Sequence, residues 1–135
     1  MANTFEMTIV TPDGKKLQDN VSILNCVTTA GALGILANHV PLVAVLEIAH
    51  LNYKKPDGSG GVISFDISIA GGVLNVRNNQ VMVLAEAFET KDEIDRNRAE
   101  DSKRRAEERL QSRDDNIDIK RAELSLKRAM SRLSL

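Results

Sequence analysis

Apolar and polar positions along this chain follow a period of two up to about residue 89, then change to a helical period. Phe5-Glu6-Met7-Thr8-Ile9-Val10-Thr11 alternates and stops at the turn cluster Pro12-Asp13-Gly14. Val21 to Val27 reads as a second strand, and Ala30-Gly31-Ala32-Leu33-Gly34 as a break. Leu42 to Leu51 is aliphatic and β-branched, and the glycine-rich stretch Asn52 to Gly61 reads as a hairpin loop. Ile63 to Ala70 alternates cleanly, Gly71-Gly72 punctuates, Val73 to Val76 continues, Arg77-Asn78-Asn79 turns, and Gln80 to Ala87 is a last strand. Short strands at this spacing predict an all-β sandwich or barrel.

From Thr90 the pattern predicts two helices. Thr90-Lys91-Asp92-Glu93 matches a capping box, in which the glutamate reaches back to the threonine. Alanine, glutamate, lysine and arginine then dominate, all strong helix formers. Asp114-Asp115-Asn116 reads as a break and a new N-cap. The second helix carries an apolar seam at Ile119, Ala122, Leu126, Ala129 and Leu133. The first offers only Ala99, Ser102, Ala106 and Leu110 to meet it. Such a stripe permits close approach but buries little area, so the pair is expected to be marginal. The break holds no proline or glycine. Two arrangements therefore remain open: an antiparallel hairpin, or one continuous helix reaching about 65 Å. A two-state element would use both, whereas composition alone favours an ordinary solvated hairpin. The expected class is β + α, with a β-sandwich over residues 1–88 and a two-helix antiparallel hairpin over 89–135.

Charge sharpens that division. Residues 1–90 carry 5 basic and 8 acidic side chains, and residues 91–135 carry 13 and 11. The formal net charge is -1, so nucleic acid is not an expected partner. Cys26 is the only cysteine, which excludes an internal disulfide and a cysteine-built zinc site. No secretion-type N-terminal segment is expected. The most apolar run, Ile35 to Leu51, is interrupted by Asn38, His39, Pro41, Glu47 and His50 and is too short to span a bilayer as a helix. Membrane association is thus expected only through a partner.

No phosphate-binding loop, dinucleotide fingerprint or metal-spaced histidine pair occurs, and an enzyme is not expected. His39 and His50 read as packing or edge histidines. The arginines carry more information. In an antiparallel hairpin Arg98 faces the neighbourhood of Arg128 and Arg132, while Arg105 faces Leu124 and Arg121. Asp101–Arg105 and Glu123–Lys127 are stabilising pairs at i,i+4, whereas Arg128 and Arg132 have no acidic neighbour on their own helix. Folding gathers Arg98, Arg128 and Arg132 at one end. Three uses stay open: a polyphosphate held in arginine forks, extension into water, or an acidic protein surface met when the helices part.

The chain resembles the epsilon subunit of bacterial rotary ATP synthase over nearly its whole length. The likeness rests on Phe5 to Gly14, on Gly31 to Leu42, on Ile69 to Leu74 with Val81 to Ala87, and on Arg121 to Leu133. The resemblance implies a sandwich of about ten short strands that binds the gamma subunit and the membrane c-ring. It also implies a C-terminal pair of helices that folds down or extends into the alpha/beta catalytic hexamer and inhibits ATP hydrolysis. In the extended state Lys120, Arg121, Lys127, Arg128 and Arg132 would face the beta subunit. The implied location is the cytoplasmic face of the cell membrane, held peripherally.

Ile94-Asp95-Arg96-Asn97-Arg98-Ala99 matches the Ile/Leu-Asp-x-x-Arg-Ala motif through which thermophilic bacillus-like members bind ATP. By the same resemblance Glu89, Arg105, Arg128 and Arg132 occupy the remaining ligand positions beside Ile94, Asp95, Arg98 and Ala99. ATP, with or without Mg2+, is then expected as a regulator, not a substrate. The alternative is a purely structural stalk subunit with a fixed hairpin. A further alternative is an unrelated β-sandwich adaptor that does not associate with gamma.

Overall fold

In a computed structural model of the chain, residues 3–112 and 118–135 are described, Ser112 by its backbone alone. Eight strands, β1 (Phe5–Val10), β2 (Lys16–Val21), β3 (Ile23–Thr28), β4 (Gly31–Leu36), β5 (Leu42–Pro56), β6 (Val62–Arg77), β7 (Gln80–Ala85) and β8 (Phe88–Thr90), precede two helices, α1 (Arg96–Ser112) and α2 (Ile119–Leu133). A single 3-10 turn, Lys91–Glu93, joins β8 to α1.

β5 and β6 run through both layers of a β-sandwich. The first part of β5 pairs with the last part of β6, Leu42 opposite Val76 and Leu46 opposite Gly72. That layer continues through β7 and β1 to the edge strand β2. Beyond Glu47, where the β5–β6 ladder skips one pair without changing register, the rest of β5 pairs with β3 and with the start of β6, and β4 and β8 complete the second layer. Met7, Ile9, Leu24, Ile35, Leu51, Ile67, Leu74 and Val83 fill the space between, all nearly sealed from solvent. Burying such side chains is the main source of stability, on the order of 2 kcal/mol each.

The alternation in β1 and in Ile63 to Ala70 is realised as strand. Among the described residues the strands number eight, not about ten, because β5 and β6 are single strands of 15 and 16 residues. Gly71-Gly72 does not end β6. These residues take positive φ, +87° and +154°, and bend the strand from one layer into the other. At Gly72 a Cβ would lie 2.9 Å from Ala85 Cα, so the neighbouring strand approaches where only glycine fits. The loop expected over Asn52 to Gly61 is strand as far as Pro56, and the stretch read as a break at Ala30 to Gly34 mostly belongs to β4. Arg77-Asn78-Asn79-Gln80 turns as expected, with Asn78 and Asn79 left-handed at φ 53° and 58°, a two-residue hairpin of type I′.

The Thr90–Glu93 pair forms, with Glu93 Oε1 accepting from Thr90 Oγ1 at 2.9 Å, but it closes only the 3-10 turn. Ile94 is extended, at φ -79° and ψ 124°, and Asp95 caps α1 instead, accepting from the Arg98 N–H at 3.0 Å. The cap read at Asp114-Asp115-Asn116 lies outside the described residues. α2 is capped by Asp118, which accepts from the Arg121 N–H at 3.0 Å. The helices pack as an antiparallel hairpin, and Arg96 Nη2 donates to Leu133 O at 3.0 Å across its open end. Four alanines, Ala99, Ala106, Ala122 and Ala129, form its closed seam, each no more than 2 % exposed. Leu126 and Leu133 are half-buried, but Ile119 is 55 % exposed and belongs to no seam. Along α1, Asp101 pairs with Arg104 at 3.2 Å, the Asp101–Arg105 pair not being among the ion pairs of the described residues; neither is Glu123–Lys127.

Candidate functional site

The last turns of α2 lie over β5 and β6 and reach β8 through the Arg132 side chain, and the polar contacts follow the strand register. Glu89 stands opposite Ser68 in the β6–β8 pairing. Ser68 Oγ meets Ser131 Oγ at 2.8 Å, and the next α2 residue, Arg132, reaches Glu89. Its Nε and Nη2 lie 3.0 and 2.9 Å from the same oxygen, Glu89 Oε1. From the other side Lys15, in the β1–β2 turn, donates to Phe88 O at 2.8 Å and to the Glu93 carboxylate. The same ammonium sits 4.4 Å from the Phe88 ring centroid. This bond from Lys15, with those from Thr90, holds the Glu93 carboxyl below its ordinary range.

Between β8, the 3-10 turn and the two helices lies a cavity of about 380 Å3, lined by Glu89, Glu93, Asp95, Arg98, Ala99, Ser102 and Arg132. Its size is within the ordinary range for small-ligand sites, but its lining is polar and contains no aromatic side chain. The carboxylates are largely engaged: Glu89 by Arg132, Glu93 by Lys15, Asp95 by the N-terminus of α1. The Arg98 guanidinium has no acidic partner among the described residues. Such a cation beside a helix N-terminus suits an oxyanion.

Of the eight residues expected to hold a ligand, Glu89, Asp95, Arg98, Ala99 and Arg132 line this cavity. Arg128 lines the adjacent crevice with Arg132 and Glu89, a space of about 10 Å3 that is no larger than a water site. Arg105 is exposed on α1 and reaches the site only through Ser102, whose Oγ accepts from its Nη2 at 3.3 Å. Ile94 is half-buried and does not line the cavity. Sequence reasoning missed Glu93 and Ser102 as lining residues and Lys15 as the support of Glu93. Ser102 stands one turn beyond Arg98 and was legible from helical spacing, whereas nothing near Lys15 in sequence points to Glu93. Lys120, Arg121 and Lys127 are exposed on α2.

His39 is half-buried, with Nδ1 2.7 Å from Val40 O, and His50 bonds to the end of α2. Among the described residues no group of three or more histidine, cysteine or acidic side chains is placed to hold a metal, and no helix is long and apolar enough to cross a membrane.

A β-sandwich followed by a helical pair is also what known proteins pair in this order. The family described as the beta-sandwich domain of the ATP synthase delta/epsilon chain matches residues 4–91. The long alpha-helix domain of the same chain matches residues 92–135. The fold therefore defines a protein of the delta/epsilon-chain class. The epsilon chain of Bacillus velezensis ATP synthase is 43% identical over 132 residues, covering 98% of this chain and 96% of that one. That of Priestia megaterium is 43% identical over 112 residues, covering 83% and 80%. A chain of the Euglena gracilis mitochondrial ATP synthase shares the fold, with a TM-score of 0.80 at 21% identity, covering 98% of this chain and 80% of that one. The chain belongs to the bacterial ATP synthase epsilon chain family.

Proposed function

We propose that this chain is the regulatory epsilon subunit of the ATP synthase central stalk and that its helical hairpin senses ATP. The sandwich contacts the gamma subunit and the c-ring on the cytoplasmic face of the membrane, without inserting into it. With ATP in the junction cavity the hairpin stays down. Without ATP it extends toward the alpha/beta hexamer, where Lys120, Arg121, Lys127, Arg128 and Arg132 meet an acidic surface and hydrolysis is inhibited. ATP acts by binding one state better than the other and is not consumed.

The observation that carries this reading is the convergence of Arg98 and Arg132 on one cavity, built from α1, α2 and the end of the sandwich. A ligand bridging all three is lost when any one leaves. Arg98 and Arg132 suit the phosphates, and Asp95, Glu89 and nearby backbone suit the nucleoside. The described residues form no metal site of their own, so any Mg2+ would arrive on the phosphates. A hairpin seam of four alanines buries little apolar surface and leaves the closed state weakly held without ligand.

A fixed, purely structural hairpin is favoured by one observation: Arg132 is already satisfied by Glu89 and needs no anion. Calorimetric titration of the isolated chain with ATP, with ADP as control, separates the two. The regulatory reading expects saturable ATP binding that weakens about 10- to 100-fold in Arg98→Ala. Absence of binding at millimolar ATP would leave the structural reading.

A further inference from the structure

We infer that Ser68 and His50 on the sheet, with Ser131 and Ser134 on α2, form a polar latch that sets how often the hairpin leaves the sandwich. The inference rests on the mobile hairpin proposed above but not on its ligand. Ser68 Oγ and Ser131 Oγ are 2.8 Å apart, and both residues are buried. His50 Nε2 lies 2.6 Å from Ser131 O and 2.6 Å from Ser134 Oγ. Ser134 Oγ lies 3.1 Å from Ser131 O.

One arrangement of protons satisfies all of these contacts. His50 carries its proton on Nε2 and shares it between Ser131 O and Ser134 Oγ, while the Ser134 hydroxyl donates to Ser131 O. Ser131 O is among the last carbonyls of α2, which have no partner within the helix. The end of α2 is therefore capped by a side chain of β5. Beside this cap α2 offers little apolar surface, its buried residues being Ala122, Ala129 and Ser131.

A contact of this chemistry is easily reversed. Water replaces each hydrogen bond when α2 lifts, so each contributes only a modest net amount, unlike the aliphatic core beneath. The closed and open states then lie near enough in free energy for a ligand to shift them. None of the four residues lines the 380 Å3 cavity, and although Ser68 borders the crevice with Glu89, Arg128 and Arg132, His50, Ser131 and Ser134 line neither space, so the latch can be altered at those three without touching the ligand side chains.

The test uses the full chain with spin labels at Ser64→Cys and Glu123→Cys, read by pulsed electron resonance as closed and open distances. Both positions are exposed, and Cys26 is buried and stays unlabelled. His50→Ala should lower the closed-to-open ratio about threefold to tenfold. Ser131→Ala should lower it further than Ser68→Ala with Ser131→Ala, because the single change leaves Ser68 buried without a partner. Ser134→Ala, at the surface, guards against a variant that fails to fold and should shift the ratio the same way by less. Unchanged distances in His50→Ala and Ser131→Ala overturn the latch, whatever ATP does. If the variants shift the ratio but millimolar ATP restores it in none of them, the latch stands and the ATP reading fails.

Discussion

Arg132 on α2 and Glu89 on β8 are joined by two guanidinium nitrogens on one carboxylate oxygen, at 3.0 and 2.9 Å, and this half-buried pair is the wall shared by the junction cavity and the crevice behind it. The pair ties the end of the helical hairpin to the last strand of the sandwich. It also keeps one of the two cavity arginines partly neutralised until a stronger anion arrives. Arg132→Ala should cost no more than about 1 kcal/mol of folding stability, because both partners keep access to water. Its ATP affinity should fall about 10- to 100-fold. Urea unfolding and calorimetry on the same sample separate the two effects.

Gly72 and Gly71 differ in what they tolerate. Gly72→Ala places a Cβ against the backbone of Leu84 and Ala85 and should destabilise the sandwich by about 3 kcal/mol. Gly71→Ala meets nothing nearer than 3.7 Å and should cost only the left-handed strain, about 1–2 kcal/mol. Denaturant midpoints of the two variants give the comparison.

Cys26 should be unreactive in the folded chain. It is 4% exposed, and burial pushes its thiol up to about 11. At pH 8 its thiolate fraction is then roughly a hundred times below that of a free cysteine, before access is considered. Iodoacetamide should label it only on unfolding. Fast labelling under native conditions would contradict the burial.

Glu93 links acid sensitivity to the domain junction. Lys15 lowers its carboxyl from the ordinary value of 4.5, first through their hydrogen bond. A depressed carboxyl contributes stability that is present above the ordinary value and lost as pH falls through the folded one. Lys15→Met should move the Glu93 titration back up toward 4.5, as read from its side-chain carbonyl carbon resonance. Acidification should loosen the 3-10 turn in the parent over a window that the variant lacks.

The sandwich was legible wherever one strand face is apolar and the other polar. β1 and the Ile63 to Ala70 half of β6 show this plainly. β2 was missed because Lys16–Val21 is an edge strand with polar residues on its exposed face, and β8 because three residues carry no period. The helix start was misplaced from Thr90 to Arg96 because a capping box signals a turn, and extended Ile94 stops that turn from propagating. Ile119 followed the helical spacing yet lies exposed at the start of α2. Of the cavity, the arginine convergence followed from antiparallel geometry. The contributions of Lys15 and Glu93 did not, since their contact spans 78 positions and is set by the β1–β2 turn.

The most direct test is ATP hydrolysis by the reconstituted complex, with the full chain or with one ended after Ile94, which keeps β8 and the 3-10 turn. At low ATP the truncated chain should give the faster hydrolysis, and the difference should vanish as ATP is raised to millimolar levels. Equal rates for both chains at every ATP concentration would contradict a regulatory hairpin.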